Sequence, residues 1–144
     1  MCGIAGIIYK DGQHPIGAEM TRMLQSMKHR GPDSTGYALY GQPSNLVIMR
    51  YKLADANTAR DFEYEDRLRR HRTEVERRLH ALGAKVHALV EENEYAFRVT
   101  LEYDGDLKRL ADFIEDVPDA EVLSLGNSLE IVKDLGDAET VAGG

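Results

Sequence analysis

Val86-His87-Ala88-Leu89-Val90, the acidic break Glu91-Glu92-Asn93-Glu94, and Tyr95-Ala96-Phe97-Arg98-Val99-Thr100-Leu101-Glu102-Tyr103 form the stretch whose pattern decides the fold. In the second run Tyr95, Phe97, Val99, Leu101 and Tyr103 alternate with Arg98, Thr100 and Glu102, and Val86, Ala88 and Val90 alternate before the break. Side chains on a strand point to opposite faces in turn, so this period of two predicts a hairpin with one face on a core and one face wet. A sheet of that kind needs helices to cover its apolar face.

Both flanks supply one. Upstream, Leu68, Val75, Leu79 and Leu82 make a narrow apolar stripe inside the strongly charged segment from Arg60 to Leu82. The pairs Glu63/Arg67, Glu65/Arg69, Asp66/Arg70 and Glu74/Arg78 put acid before base at i, i+4, the order that supports a helix. Gly83 is a natural stop. The interleaved carboxylates make the arginines a solvated face, not a phosphate-binding patch. Downstream, Asp104-Gly105-Asp106 turns the chain into a helix with Leu107, Leu110, Ala111 and Ile114 on one face, closed by Val117-Pro118. Val122 to Leu125 and Leu129 to Val132, around Gly126-Asn127-Ser128, predict a second hairpin. Residues 60–135 thus read as an αββαββ module, followed by a tail over 136–144.

The first fifty residues differ in character. Residues 2–9 are apolar with three isoleucines and meet Asp11-Gly12, which predicts a buried strand ending in a turn. Met20, Met23, Leu24 and Met27 recur at i, i+3, i+4 and i+7, a helical stripe expected to lie in a core. Gly31-Pro32 breaks that helix. Gly36 to Tyr40 and Leu46 to Tyr51 then predict a hairpin around Gly41-Gln42-Pro43-Ser44. The expected division is 1–54, a hinge over 55–59, and the module.

The net charge of −7, from 25 acidic and 18 basic residues among 144, argues against nucleic acid or an anionic membrane as a partner. No run approaches the roughly 18 apolar residues that span a bilayer, and the expected location is cytoplasmic. His71, His80 and His87 fall at no metal-ligand spacing and are expected on the surface. No cofactor is expected.

Cys2 is the single cysteine and cannot close an internal disulfide, which suits a reducing compartment. It follows Met1 directly. Once exposed at the N-terminus, such a residue carries a thiol with pKa about 8.5 and an α-amine with pKa about 7.7–8.0, a nucleophile and its base on one residue. The competing reading is a small apolar residue in a strand.

A second motif shifts the balance. Met1-Cys2-Gly3-Ile4-x-Gly6 followed by His29-Arg30-Gly31-Pro32-Asp33-x-x-Gly36 closely resembles the start of class II glutamine amidotransferase domains, members of the N-terminal nucleophile (Ntn) hydrolases. The resemblance implies that Cys2 attacks the side-chain amide of glutamine, with the α-amine as base. Arg30 and Gly31 match an Arg-Gly pair whose loop lies beside the nucleophile and helps orient it. Asp33 matches a position with a structural role. The implied fold is α+β: the N-terminal part of an α/β/β/α sandwich, with the αββαββ module where some glutamate-synthase-like amidotransferase subunits carry an insertion. Glutamine is the implied substrate, and an ammonia-accepting synthase the implied partner.

The family's Asn-Gly pair and His-x-Arg segment have no counterpart in this chain, where only the reversed Gly126-Asn127 occurs. Oxyanion stabilisation alone is worth about 100- to 1000-fold in rate, so the expectation is a truncated or split domain inactive by itself. Two further readings stay open: a non-catalytic interaction or regulatory module that associates, or forms an oligomer, through residues 60–135, and a poorly folded fragment.

Overall fold

In the computed structural model, the described residues are 3–12, 14–30 (Arg30 for its backbone alone), 34–55, 57 and 63–143. They are α+β: α1 Gly17–Ser26, β1 Ser34–Tyr40, β2 Val47–Lys52, α2 Tyr64–Ala81, β3 Lys85–Glu91, β4 Ala96–Glu102, α3 Leu107–Glu115, β5 Glu121–Gly126, β6 Leu129–Leu135 and α4 Ala138–Ala142. A 3₁₀ turn, Lys28–Arg30, follows α1. The chain divides into two compact units, one from positions 1–36 and 133–144 and the other from 37–132.

The larger unit is built on a four-stranded antiparallel sheet in the order β3-β4-β2-β5. Alternation on β2 and β4 is strict: Val47, Met49, Tyr51, Phe97, Val99 and Leu101 are buried, while their neighbours are half-buried or, at Glu102, exposed. The buried face packs with Val75 and Leu79 of α2 and Leu110 and Ile114 of α3 in one core cluster. Each such side chain contributes about 1.5–3 kcal/mol by leaving water. Tyr51 and Phe97, cross-strand partners, stack with ring centroids 5.2 Å apart.

The helices end as their sequences dictate. Gly83, at φ +79°, takes the left-handed conformation after α2, where its N–H donates to the carbonyl of His80 and that of Ala84 to Leu79. Glu65 and Asp66 sit in the first turn of α2 and Arg78 and His80 in its last, matching the helix dipole. Of the expected pairs Glu74–Arg78 forms at 2.8 Å; Asp66 meets Arg69, and Arg67 reaches Asp119. Asp106 caps α3 by accepting from Arg109 N–H at 3.1 Å.

The hairpin of β3 and β4 forms as its alternation predicts. The other two do not. β2 lies between β4 and β5, and β1 pairs with β6 in a separate two-stranded sheet. The cause is visible at the connections: Gly41 N–H donates to Ser128 O at 2.7 Å and Ser44 N–H to Asn127 O at 3.1 Å. The two expected turns therefore bind each other instead of closing their own hairpins. β2 completes the sheet of the αββαββ module in place of β6, so the expected boundary at 55–59 falls inside the 37–132 unit.

On the polar face of this sheet Ser124 Oγ accepts the N–H of Ile131, drawing the first half of β6 across it. Arg50 and Arg98 both bind Glu130 there.

Three expectations about the smaller unit change. Residues 3–9 are not a strand, and Ile4 and Ile8 are 94% and 90% exposed, because no described strand pairs with them. The methionine stripe of α1 is half-buried at best: no α1 residue is buried and Met23 is 38% exposed. The element packed on it, α4, has only five residues. That helix corrects the expected tail, with Ala138 and Val141 buried and Asp137 as its cap. No helix among the described residues is long and apolar enough to cross a membrane.

Candidate active site

Of the motif residues, His29 and the backbone of Arg30 follow the end of α1. Cys2, Gly31 and Asp33 lie outside the described residues. Arg30 closes the 3₁₀ turn with its backbone, and His29 beside it is exposed. What the structure brings together are the residues next to these. A methyl placed on Gly3 would stand 3.4 Å from both Cβ and Sδ of Met27. Gly3 follows Cys2 in the chain, and Met27 immediately precedes Lys28–Arg30. Gly3 and Met27, 24 positions apart in sequence, therefore stand so close that a methyl on Gly3 would touch Met27 at ordinary van der Waals distance.

The N-terminal segment is held on its other side too. Tyr9 Oη donates to Glu19 in the first turn of α1. Its ring lies 4.4 Å from that of His14, whose Nε2 is 3.2 Å from Asp11 Oδ1. Glu19, chiefly through this hydrogen bond, pushes the Tyr9 hydroxyl above its ordinary pKa. Helix α1 ends where Met27 N–H donates to Leu24 O at 3.0 Å.

Asp137 fastens this corner from the far end of the chain. Its carboxylate accepts from Lys28 Nζ at 2.8 Å, Gln25 Nε2 at 3.3 Å, and both the N–H and Oγ1 of Thr140, at 3.0 and 2.8 Å. The Lys28 hydrogen bond, first among these, holds the Asp137 carboxyl far below the usual carboxylate range, and Asp137 raises the Lys28 ammonium in turn. Sequence reading missed this cluster. Its one local signal was Gly136-Asp137 with Thr140 three residues on, a helix N-cap pattern hidden by the shortness of α4.

Other candidates separate. His80 and His87 are exposed as expected, and His87 pairs with Glu102 at 2.8 Å. His71 departs from expectation: its side chain is 17% exposed and faces Asp119 at 3.5 Å. Among the described residues no group of three His, Cys, Asp or Glu side chains comes together as a metal site.

No family model and no solved structure matches the chain. Two curated proteins are similar to it. A protein of Methanothermobacter thermautotrophicus provisionally named a glutamine amidotransferase is 37% identical over 148 aligned positions, which cover 99% of this chain and 46% of that protein. The glutamine amidotransferase-like protein GlxB of Rhizobium meliloti is 27% identical over 138 positions, 94% of this chain and 42% of its own length. The chain spans less than half the length of these relatives.

Proposed function

We propose that the chain is the nucleophile-bearing portion of a class II glutamine amidotransferase, with Cys2 as the attacking residue after removal of Met1. The observation that carries this reading is the closeness of Gly3 to Met27, since it brings the residue after Cys2 near the residue that leads into Lys28–Arg30. The names of the two similar proteins support it.

In this mechanism the α-amine takes the Cys2 thiol proton and sulfur attacks the side-chain carbonyl carbon of glutamine. The carbon–nitrogen bond breaks as the α-ammonium returns a proton, and ammonia leaves. Water, deprotonated by the same amine, then cleaves the thioester and releases glutamate. Arg30 and Gly31 organise the nucleophile. Oxyanion donors and the groups that bind the glutamine carboxylate come from outside these 144 residues, and so does the synthase that consumes the ammonia, in our reading one of glutamate-synthase type. The partial sandwich of an Ntn hydrolase is the fold this proposal requires.

Intact-mass analysis with a glutamine-mimicking electrophile, and iodoacetamide as a control for simple thiol access, tests it. Loss of Met1 and glutamine-protectable labelling, abolished by Cys2→Ala, is the expected result in the presence of the missing portion. Labelling by iodoacetamide alone under those conditions rejects the proposal.

A further inference from the structure

The turn Lys28–Arg30 and the start of β1 at Ser34 flank the Gly31-Pro32-Asp33 stretch of the motif, and both are tied to one dipeptide a hundred residues away. Before the stretch, Lys28 Nζ meets Asp137 Oδ2 at 2.8 Å. After it, Thr35 Oγ1 donates to the carbonyl of Gly136 at 2.9 Å. We infer that the Gly136-Asp137 corner is the positioning element of the candidate site, fixing the spacing between the Arg30 turn and β1; this deepens the amidotransferase reading and rests on it for its catalytic meaning.

The corner is built for two-sided binding. Gly136 has φ +116°, a conformation L side chains rarely adopt, and a methyl there would lie 3.1 Å from Thr140 Cγ2. Glycine lets its carbonyl face Thr35 while the next residue caps α4. Asp137 has two oxygens and divides them: Oδ1 takes both Thr140 donors, and Oδ2 takes Lys28 and Gln25. Gln25 Nε2 also stands 3.4 Å from Glu139 Oε2, so α1 and α4 share a second polar link. A plain helix cap would need only the first oxygen. The second reaches a cation next to the motif, and a charge-assisted bond of that kind gives direction as well as attraction.

Because asparagine caps a helix as well as aspartate does, Asp137→Asn keeps α4 capped and removes the charge that holds Lys28. Thr35→Val removes the other tie with little change in volume. In amide exchange on the full chain, the pair together should speed exchange at Lys28–Arg30 and Ser34–Gly36 by about threefold to tenfold, the scale of such a bond at a partly exposed site. Exchange in β4 should stay unchanged. Lys28→Arg should retain protection that Lys28→Gln loses. Unchanged exchange at Lys28–Arg30 and Ser34–Gly36, or equal loss throughout β4, overturns the inference.

A second readout separates the two proposals. With the missing portion present, the double variant should slow labelling of Cys2 by the glutamine mimic while iodoacetamide labelling stays within about twofold. Failure of the unaltered protein to distinguish the two reagents would reject the amidotransferase reading and leave the exchange result to judge the corner.

Discussion

Arg50 on β2 and Arg98 on β4 stand directly opposite one another in the antiparallel ladder, and the single carboxylate of Glu130 binds both. The distances are 2.6 Å from Arg50 Nε and 2.8 Å from Arg98 Nε to the same oxygen, with Arg98 Nη2 at 3.0 Å from the other. Arg50 also pairs with Glu92. Like charges facing across a ladder repel, so the carboxylate permits a pairing that would otherwise weaken the centre of the sheet.

Removing that carboxylate should therefore cost more than a surface ion pair. We expect Glu130→Ala to destabilise the protein by about 2–3 kcal/mol in chemical denaturation, and Glu130→Gln by somewhat less. The Arg98 hydrogen bond, with burial opposing it and Arg50 assisting, holds the Glu130 carboxyl below its ordinary range. A depressed folded-state pKa gives stability that is fully present above the unfolded value of about 4.3 and is lost as pH falls through the lower folded value. Stability of the unaltered protein should decline on acidification below that point, and Glu130→Gln should flatten that part of the curve. Identical curves would show that other carboxylates dominate.

Tyr51 makes the opposite case. It is fully buried, its hydroxyl has no hydrogen-bond partner among the described residues, and burial pushes that hydroxyl well above its ordinary pKa. The ring contributes through stacking on Phe97, over which Arg72 also lies, 5.2 Å from the centroid. Tyr51→Phe keeps the ring and removes an unsatisfied polar group, so stability should hold or rise by up to about 1 kcal/mol. Phe97→Ala should cost about 3–5 kcal/mol. A loss above about 1 kcal/mol in Tyr51→Phe would reveal a partner for the hydroxyl in solution.

Gly83 isolates a backbone effect. It sits at φ +79° with open space where a side chain would go. Gly83→Ala should cost about 1–2 kcal/mol through conformation alone, and Gly83→Asn less, since asparagine tolerates the left-handed region. Equal losses for the two would point to a clash rather than to the dihedral.

Sequence patterns revealed these elements where the physics is local. Alternation in Tyr95–Tyr103 exposed β4 because one face meets helices and the other does not, and the stripe ending before Gly83 exposed α2 with its stop. Pairing was hidden where partners lie far apart. Gly41-Gln42-Pro43-Ser44 has the composition of a hairpin turn, yet its donors go to Asn127 and Ser128, and no local signal distinguishes those destinations. Likewise Glu130 meets Arg50 eighty residues away. At the candidate site the motifs named Cys2, Arg30 and Gly31, but motifs carry no record of what supports them. Asp137 passed for part of a tail because five helical residues leave almost no periodicity to read.

Gly3 offers the sharpest test of whether its closeness to Met27 matters to the proposed site. The space beside it accepts a methyl at normal contact distance from Met27 and little more. With the missing portion present, Gly3→Ala should leave the melting temperature unchanged and labelling of Cys2 by the glutamine mimic within about twofold, since 3.4 Å is ordinary carbon contact. Gly3→Leu adds bulk beside Met27, which is already at contact distance from a Cβ placed there. If Cys2 is the nucleophile proposed above, a change at the residue beside it disturbs its alignment, and misplacement by about 1 Å costs on the order of 100-fold where reaction depends on alignment. Labelling by the mimic should fall accordingly, while iodoacetamide, which needs no alignment, should react as before. Restoring room with Gly3→Leu combined with Met27→Ala should recover part of the loss, because both changes act on one contact. If Gly3→Leu labels as fast as the unaltered protein, the closeness of Gly3 to Met27 has no part in placing Cys2.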